Sequence, residues 1–582
     1  MNKSLVLKAF CLLMLCGLAV ATRAANPALP NIPSTVFKIT DYGAVGDGTT
    51  DNATNIQKAI DTANAAGGGM VEIPAGTFAS GPFVLRSSIN LHLDAGAMIE
   101  MLPISEYPGG TTNPPTFITC HNIHDLEISG QGTFDGQGRA WWEAFGASRR
   151  VMRPMIFNLY SADRVFIHDV TYKNPPDHHC GLRGNGGDIT ISNLTVATDF
   201  PSPNTDGLNF VGTNCVIEDC HISDGDDNIA MGSSGPLNDL LITNCVFGHG
   251  HGVSIGSGIA GVTNLTVVDC SFNGGDNGLR IKCARDHSQP IKGVNYLNLT
   301  MTNVRFPIVF YTYYNLVGNP DRISPARVLD ASNTMTVNAM TPDWSDITIS
   351  NLTATSPNIG GVIWGPTEKP IRNVTLIDVD ITAPRTFDLY NVKGVTVIDS
   401  QFHFSHGSTF TLCNAGLTVS NSVHSDRTIT IDGATSDNSL ALYNTDAFLQ
   451  SDDAYGANPI TLGGSTLTDT GDLTLSKDKQ VNFVLGADAA TVDVTGDLEL
   501  NATLNITSVS GFTATTYTLF TYSGNLTGQP LLGSLPAGWN CTLDTSTHGI
   551  VKLVVHPGGA QPSAKIDAQP MRMNQVLASR LN

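Results

Sequence analysis

The sequence predicts an all-β chain: a β-solenoid with an N-terminal capping helix and a second, smaller C-terminal β domain. Three observations carry this reading. A strand-like pattern recurs roughly every 25 residues through the middle of the chain. Gly 58 and Pro 30 among 582 residues make turns frequent and long helices scarce. Near residue 430 the period is lost, and short strands separated by Gly, Asp and Asn turns take over.

Residues 1–24 read as an export signal. Lys3 and Lys8 precede an apolar run from Ala9 to Ala21, and small residues suited to cleavage lie between Ala21 and Ala25. The mature chain is therefore expected outside the cytoplasm, whether secreted, periplasmic or on the cell surface. No later stretch approaches the length of a spanning helix, so no membrane span is expected. Removing Cys11 and Cys16 with the signal leaves nine of 11 cysteines, an odd number with no CxxC pair. Neither a disulfide scaffold nor a zinc site follows, and no metal or cofactor is expected.

The first helix is expected from Asp51 or Asn52, as cap, to about Ala66, with Ile56, Ala59, Ile60 and Ala63 on one face. Gly67 to Gly69 should end it. Placed before the first coil, it suits a lid over the open solenoid end.

The coils then announce themselves by position. VFIHDV ends at Val170, TISNL at Leu194, VIEDC at Cys220, LITNC at Cys245 and VVDC at Cys270. Stacked one strand spacing apart, Cys220, Cys245 and Cys270 should form a buried thiol ladder of small core residues. Before each ladder position stands Asp or Asn (Asp169, Asn193, Asp219, Asn244, Asp269), which suits a coil corner where the side chain bonds neighbouring backbone. The pattern returns at Leu352, Val379, Ser400 and Ser422, placing the β-helix over residues 25–428. Residues 429–556 read as the accessory β domain and 557–582 as a tail.

Formal net charge is −20, so the overall field repels polyanions, and nucleic acid is excluded as a partner. A polyanionic substrate could bind only where a few cations are placed locally. Four short strands supply such a place: Asp206-Gly-Leu-Asn-Phe210, Asp227-Asn-Ile-Ala-Met231, His251-Gly-Val-Ser-Ile255 and Asn277-Gly-Leu-Arg-Ile281. Phe210, Met231, Ile255 and Ile281 should point inward, and Asn209, Ala230, Ser254 and Arg280 outward. Asp206, Asp227 and His251 then share a vertical row, with Asp226 beside Asp227. Crowded carboxylates raise one another's pKa, a cost that a purely structural protein has little reason to bear.

Asn204-Thr205-Asp206, Asp226-Asp227, Gly250-His251-Gly252 and Arg280-Ile281-Lys282, in this order, resemble the four motifs of the polygalacturonases, the pectin-cleaving glycoside hydrolases of family 28 type. The resemblance covers about residues 36–425, including Asp41-Tyr-Gly-Ala-Val-Gly-Asp47. It implies a right-handed parallel β-helix and inverting hydrolysis without metal. Asp226 would be the general acid, Asp206 and Asp227 would hold and deprotonate the attacking water, and His251 would tune their protonation. Asn204 belongs to the substrate-binding set by the same resemblance. Arg280 and Lys282 would grip a uronate carboxylate, and Tyr314, in the run Tyr311-Thr-Tyr-Tyr314, would contact sugar. One departure stands out: fungal members often carry Cys where this chain has Asn228, so the loop there must be held differently. Arg285 and His287 could bind a second carboxylate or belong to a solvated loop.

The substrate implied is an acidic polysaccharide, galacturonan, acted on by a monomer. Other readings are a hydrolase of xylogalacturonan or rhamnogalacturonan, a calcium-dependent pectate lyase, or an inactive solenoid adhesin or sugar-binding surface protein.

Overall fold

Alternating apolar residues followed by Asp or Asn dictate each coil. Ile167, Ile191, Ile217, Ile242, Val267 and Tyr296 are partners in successive parallel strands. All are fully buried, because period-2 alternation sends every second side chain into the coil interior. The computed structural model describes residues 26–424, 428–431, 438–450 and 457–558. The expected export signal, and the tail beyond residue 558, lie outside the described residues. The architecture is all-β, a right-handed parallel β-helix of about 17 turns.

The corners turn through left-handed backbone at Asp169, Asn193, Asp219, Asn244 and Asp269, with φ of 63°, 50°, 56°, 53° and 55°. Asn and Asp tolerate this region better than other residues with a Cβ. Their side chains were expected to bond neighbouring backbone, but they bond one another from coil to coil, because the stack sets equivalent corners one strand spacing apart. Asn193 donates to Asp169 at 2.6 Å, Asn298 to Asp269 at 3.0 Å and Asn244 to Asp219. Immediately inside the corners, the thiols of Cys220, Cys245 and Cys270 are buried, and the Cys245 amide reaches the Cys270 sulfur at 3.4 Å. All nine cysteines from Cys120 to Cys541 are buried, and among the described residues none forms a disulfide.

The capping helix runs Ala53–Ala65 and buries Ile56, Ala59, Ile60 and Ala63. Asp51 rather than Asn52 receives the first helical amide, at 3.0 Å from Ala53. Asn52 instead turns inward to accept from Val45 at 2.7 Å. Gly68, at φ 115°, closes the helix by donating to the Ala63 carbonyl at 2.9 Å.

The change of architecture expected at residue 429 does not coincide with a change of pairing. Leu417, Leu440, Ile460, Val481 and Leu504 are partners in successive parallel strands, in steps of 20 to 23 residues. One hydrophobic core runs from Ile39 to Val555. Parallel stacking gives way only near the end, where Ile550–Pro557 pairs antiparallel with both Thr516–Tyr522 and Trp539–Asp544. After Asn444, which still donates to Asn421 at 3.0 Å, the described coils lack the regular Asp or Asn corner, so their period fades from the sequence while the stacking persists.

Candidate active site

The site is built where four short strands stack in register. Leu208 partners Ile229, Ile229 partners Val253 and Val253 partners Leu279, so the outward row is Asn209, Ala230, Ser254 and Arg280. The inward row of Phe210, Met231, Ile255 and Ile281 is buried as expected. The outward row is buried too, with Arg280 only 4% exposed.

Two residues before each strand, the turn presents the reactive groups. Asp226, Asp227 and His251 meet directly, and Asp206 stands on the adjoining coil, two residues before Leu208 as Asp227 is before Ile229. His251 Nδ1 lies 2.9 Å from Asp226 Oδ1 and 3.5 Å from Asp227 Oδ1. Asn204 Nδ2 donates to Asp226 Oδ2 at 3.2 Å, and Asn209 Nδ2 to Asp206 Oδ2 at 3.1 Å. Glycine is required in this turn: at φ 132°, a Cβ on Gly250 would lie 2.4 Å from the Asn228 amide. Asn228 supplies the hold that the missing cysteine would have given. It donates to the His249 carbonyl at 2.7 Å and to Asp224 at 3.2 Å, and accepts from Gly252 at 2.8 Å.

The two cations were expected to face the substrate. In this structure both also meet Asp227: Arg280 Nη1 donates to Oδ1 at 3.1 Å and Lys282 Nζ to Oδ2 at 2.8 Å. The adjacent Asp227 charge does push Asp226 up, as expected of crowded carboxylates, but the cations and the imidazole beside the pair outweigh it. Burial resists the charge on Asp227, yet Lys282, the His251 hydrogen bond and Arg280 hold its carboxyl well below the usual range. Burial is the largest influence on Asp226 and resists its ionisation, but the His251 hydrogen bond, the His251 charge and Lys282 together leave its carboxyl lowered. On His251 burial disfavours the charge, while the bonds to Asp226 and Asp227 push it up to about 9.

The tyrosine run divides its labour. Tyr311 is buried and accepts from Arg280 Nη2 at 3.3 Å. Tyr313 stacks on Trp364 with centroids 4.2 Å apart. Tyr314 is the one over the cations, its ring centre 5.3 Å from Lys282 Nζ and 5.9 Å from Arg280 Cζ. Arg285 pairs with Glu368 and packs over Tyr313, so it braces the segment after Tyr311. His287, bonded to Asp286, is largely exposed.

Sequence reasoning missed the coil before Asp206. Cys180 partners Leu208, which places His178 in the same row as Asp206. His178 Nδ1 sits 3.3 Å from Asp206 Oδ1, and Arg153 reaches both Asp177, at 3.0 Å, and Asn204, at 2.9 Å. The signal was present as a step of 28 residues rather than 25.

Asp226, Asp227 and His251 offer ligand atoms all within 4.8 Å of one another. They suit a cation poorly, because both Asp227 oxygens already serve Arg280 and Lys282 and the imidazole favours its proton. A concavity of about 710 Å³ lined by His92, Glu127, Ser129 and His168 contains none of these residues.

Residues 67–409 match the family model of Glycosyl hydrolases family 28. The chain is 31% identical over 411 residues to an endo-polygalacturonase of Pectobacterium carotovorum subsp. carotovorum, covering 64% of this chain and 93% of that protein. Among solved structures, the polygalacturonase from Erwinia carotovora ssp. carotovora superposes with a TM-score of 0.54 at 28% identity, covering 64% of this chain and 99% of that one. An exopolygalacturonase from Thermotoga maritima shares the fold at TM-score 0.55 and 20% identity, over 69% of this chain and 94% of that one. Motifs, coil stacking and family match agree: the chain belongs to glycosyl hydrolases family 28, the polygalacturonase family, and is a glycoside hydrolase.

Proposed function

We propose that this hydrolase cleaves α-1,4-galacturonosyl linkages of pectin or polygalacturonate with inversion at the cleaved carbon. The observation that carries the reading is the meeting of three carboxylates, Asp206, Asp226 and Asp227, with Arg280 and Lys282 on consecutive coils. Inverting hydrolysis needs one acid to protonate the leaving oxygen and a carboxylate opposite it to activate water. Asp226 fits the acid, since His251 Nδ1 stands 2.9 Å away and can return a proton to it. Asp206 and Asp227 hold the water; Arg280 and Lys282 engage the two Asp227 oxygens, whereas Asp206 meets the Asn209 amide and the His178 ring.

Galacturonate is favoured over a neutral sugar for a physical reason. Lys282 carries three donors, of which one goes to Asp227, and Arg280 Nε is buried without a partner. A uronate carboxylate entering beside Asp227 would satisfy these groups, whereas a hydroxymethyl group would not. The curated and solved relatives named polygalacturonases support the same substrate class. A calcium-dependent lyase is not favoured, because the carboxylate best placed to bind calcium is already ion-paired. The N-terminal apolar run supports action outside the cytoplasm, and no helix among the described residues is long and apolar enough to cross a membrane.

Reducing ends released from polygalacturonate by the wild type and by Asp226→Asn test this reading. Release that the substitution abolishes is expected; equal release from both overturns it.

A further inference from the structure

Asp206 is held from two sides. Asn209 Nδ2 donates to Oδ2 at 3.1 Å, and His178 Nδ1 lies 3.3 Å from Oδ1. The His178 ring is itself fixed, because Nδ1 also faces the Asn204 carbonyl at 3.0 Å, and Nε2 lies 3.7 Å from Asp177 Oδ2. Both ring nitrogens therefore face oxygens that can only accept, unless a carboxyl is protonated. Behind Asp177 stands Arg153, 3.0 Å from its Oδ1, whose guanidinium also bonds the Pro176 carbonyl at 3.1 Å and Asn204 Oδ1 at 2.9 Å. The Phe145 ring backs the same guanidinium at 3.8 Å. The neighbouring His179 is turned away, bonded to the Asp206 carbonyl at 2.9 Å and to Thr198.

Resting on the galacturonan-hydrolysis reading, we propose that His178 is a positioning residue for Asp206: its Nδ1–H and ring charge fix the carboxylate that turns the attacking water toward the sugar. The chain Arg153, Asp177, His178, Asp206 alternates in charge and crosses from the segment before one strand to the turn of the next. It parallels the His251 contact with Asp226 on the other side of the site, so each carboxylate proposed to move a proton has its own imidazole. The acids and cations facing His178 are Asp206, Asp177 and Arg183, with Arg153 reached through Asp177. Burial disfavours charge on His178, but Asp206 and Asp177 outweigh it and push the ring up to about 9. His179, by contrast, is carried down to about 3 by burial and stays neutral. The two adjacent histidines thus differ in charge because only one of them faces carboxylates.

The test uses the full-length chain. His178→Ala is expected to lower kcat on polygalacturonate by roughly ten- to a hundred-fold with KM changed less than about three-fold, since a misplaced water slows chemistry more than binding. His178→Asn, whose Nδ2 stands near the place of Nδ1, is expected to recover most of the loss at neutral pH. A loss in KM alone, or no gain from asparagine over alanine, overturns the proposal. A second measurement needs no substrate: the proton NMR titration of His178, assigned by its disappearance in His178→Asn. Its midpoint is expected to fall by about one unit or more in Asp206→Asn; an unmoved midpoint overturns the coupling. If the wild type releases no reducing ends while the titration behaves as stated, the hydrolysis reading fails and the His178–Asp206 contact stands.

Discussion

Asp227 carries two buried cations at once, and its neutralisation gives the sharpest energetic prediction. Asp227→Asn keeps the size of the side chain but removes the charge that Arg280 meets at 3.1 Å and Lys282 at 2.8 Å. Asp227, Arg280 and Lys282 are only 3%, 4% and 6% exposed, so water cannot take the carboxylate's place. Stripping one member from a buried pair costs about 3–5 kcal/mol, because the remaining charge is left uncompensated. Two stranded cations put the expected loss at the upper end. An exposed pair gives the contrast: Arg139 and Glu143, at 3.3 Å but 78% and 69% exposed, should change by no more than about 0.5 kcal/mol in Glu143→Gln. Denaturant unfolding at pH 7, read as midpoint or as unfolding rate, compares the two variants. Adding Lys282→Met to Asp227→Asn should recover part of the loss, since one stranded charge is removed. A loss below about 1 kcal/mol for Asp227→Asn would refute the reasoning.

Three further outcomes follow from the same contacts. His251 is raised to about 9 from an ordinary value of 6.5, so its contribution to stability is complete below about pH 6.5 and is lost as pH rises through about 9. In His251→Asn the fall in stability across that window should be shallower by about one proton's worth of slope, measured by unfolding at several pH values. Gly256→Ala would set a Cβ 1.8 Å from the Lys282 carbonyl at φ 118°, so backbone must move; activity should drop by at least about ten-fold, read by reducing ends. Asn244→Ala loses both the left-handed preference, at φ 53°, and the bond to Asp219, and should cost about 1–3 kcal/mol of stability with kcat unchanged.

The legible part of this molecule was whatever repeats. A constant coil length places Cys220, Cys245 and Cys270 together, and the recurring short-strand pattern aligns Asp206, Asp227 and His251 although its steps are 21 and 24 residues. Two kinds of feature escaped. His178 and Arg153 sit on a coil whose step to the next is longer, so a fixed period passes over them. The coils after residue 428 have shorter steps and irregular corners, so they read as a different domain although Leu417, Leu440 and Ile460 stack as before. The direction of the side chains was also beyond the pattern. Strand parity sends Arg280 and Lys282 to one face, but only their distances show that Asp227, rather than open solvent, receives them.

The stacking account makes one chemical claim above all: water attacks the sugar from the side opposite the leaving oxygen, under Asp206 and Asp227. Proton NMR of polygalacturonate in the first minutes after adding enzyme reads the configuration of the new reducing end before it equilibrates. The account predicts the β-anomer first. Appearance of the α-anomer first, or of an unsaturated product absorbing in the ultraviolet, would contradict it.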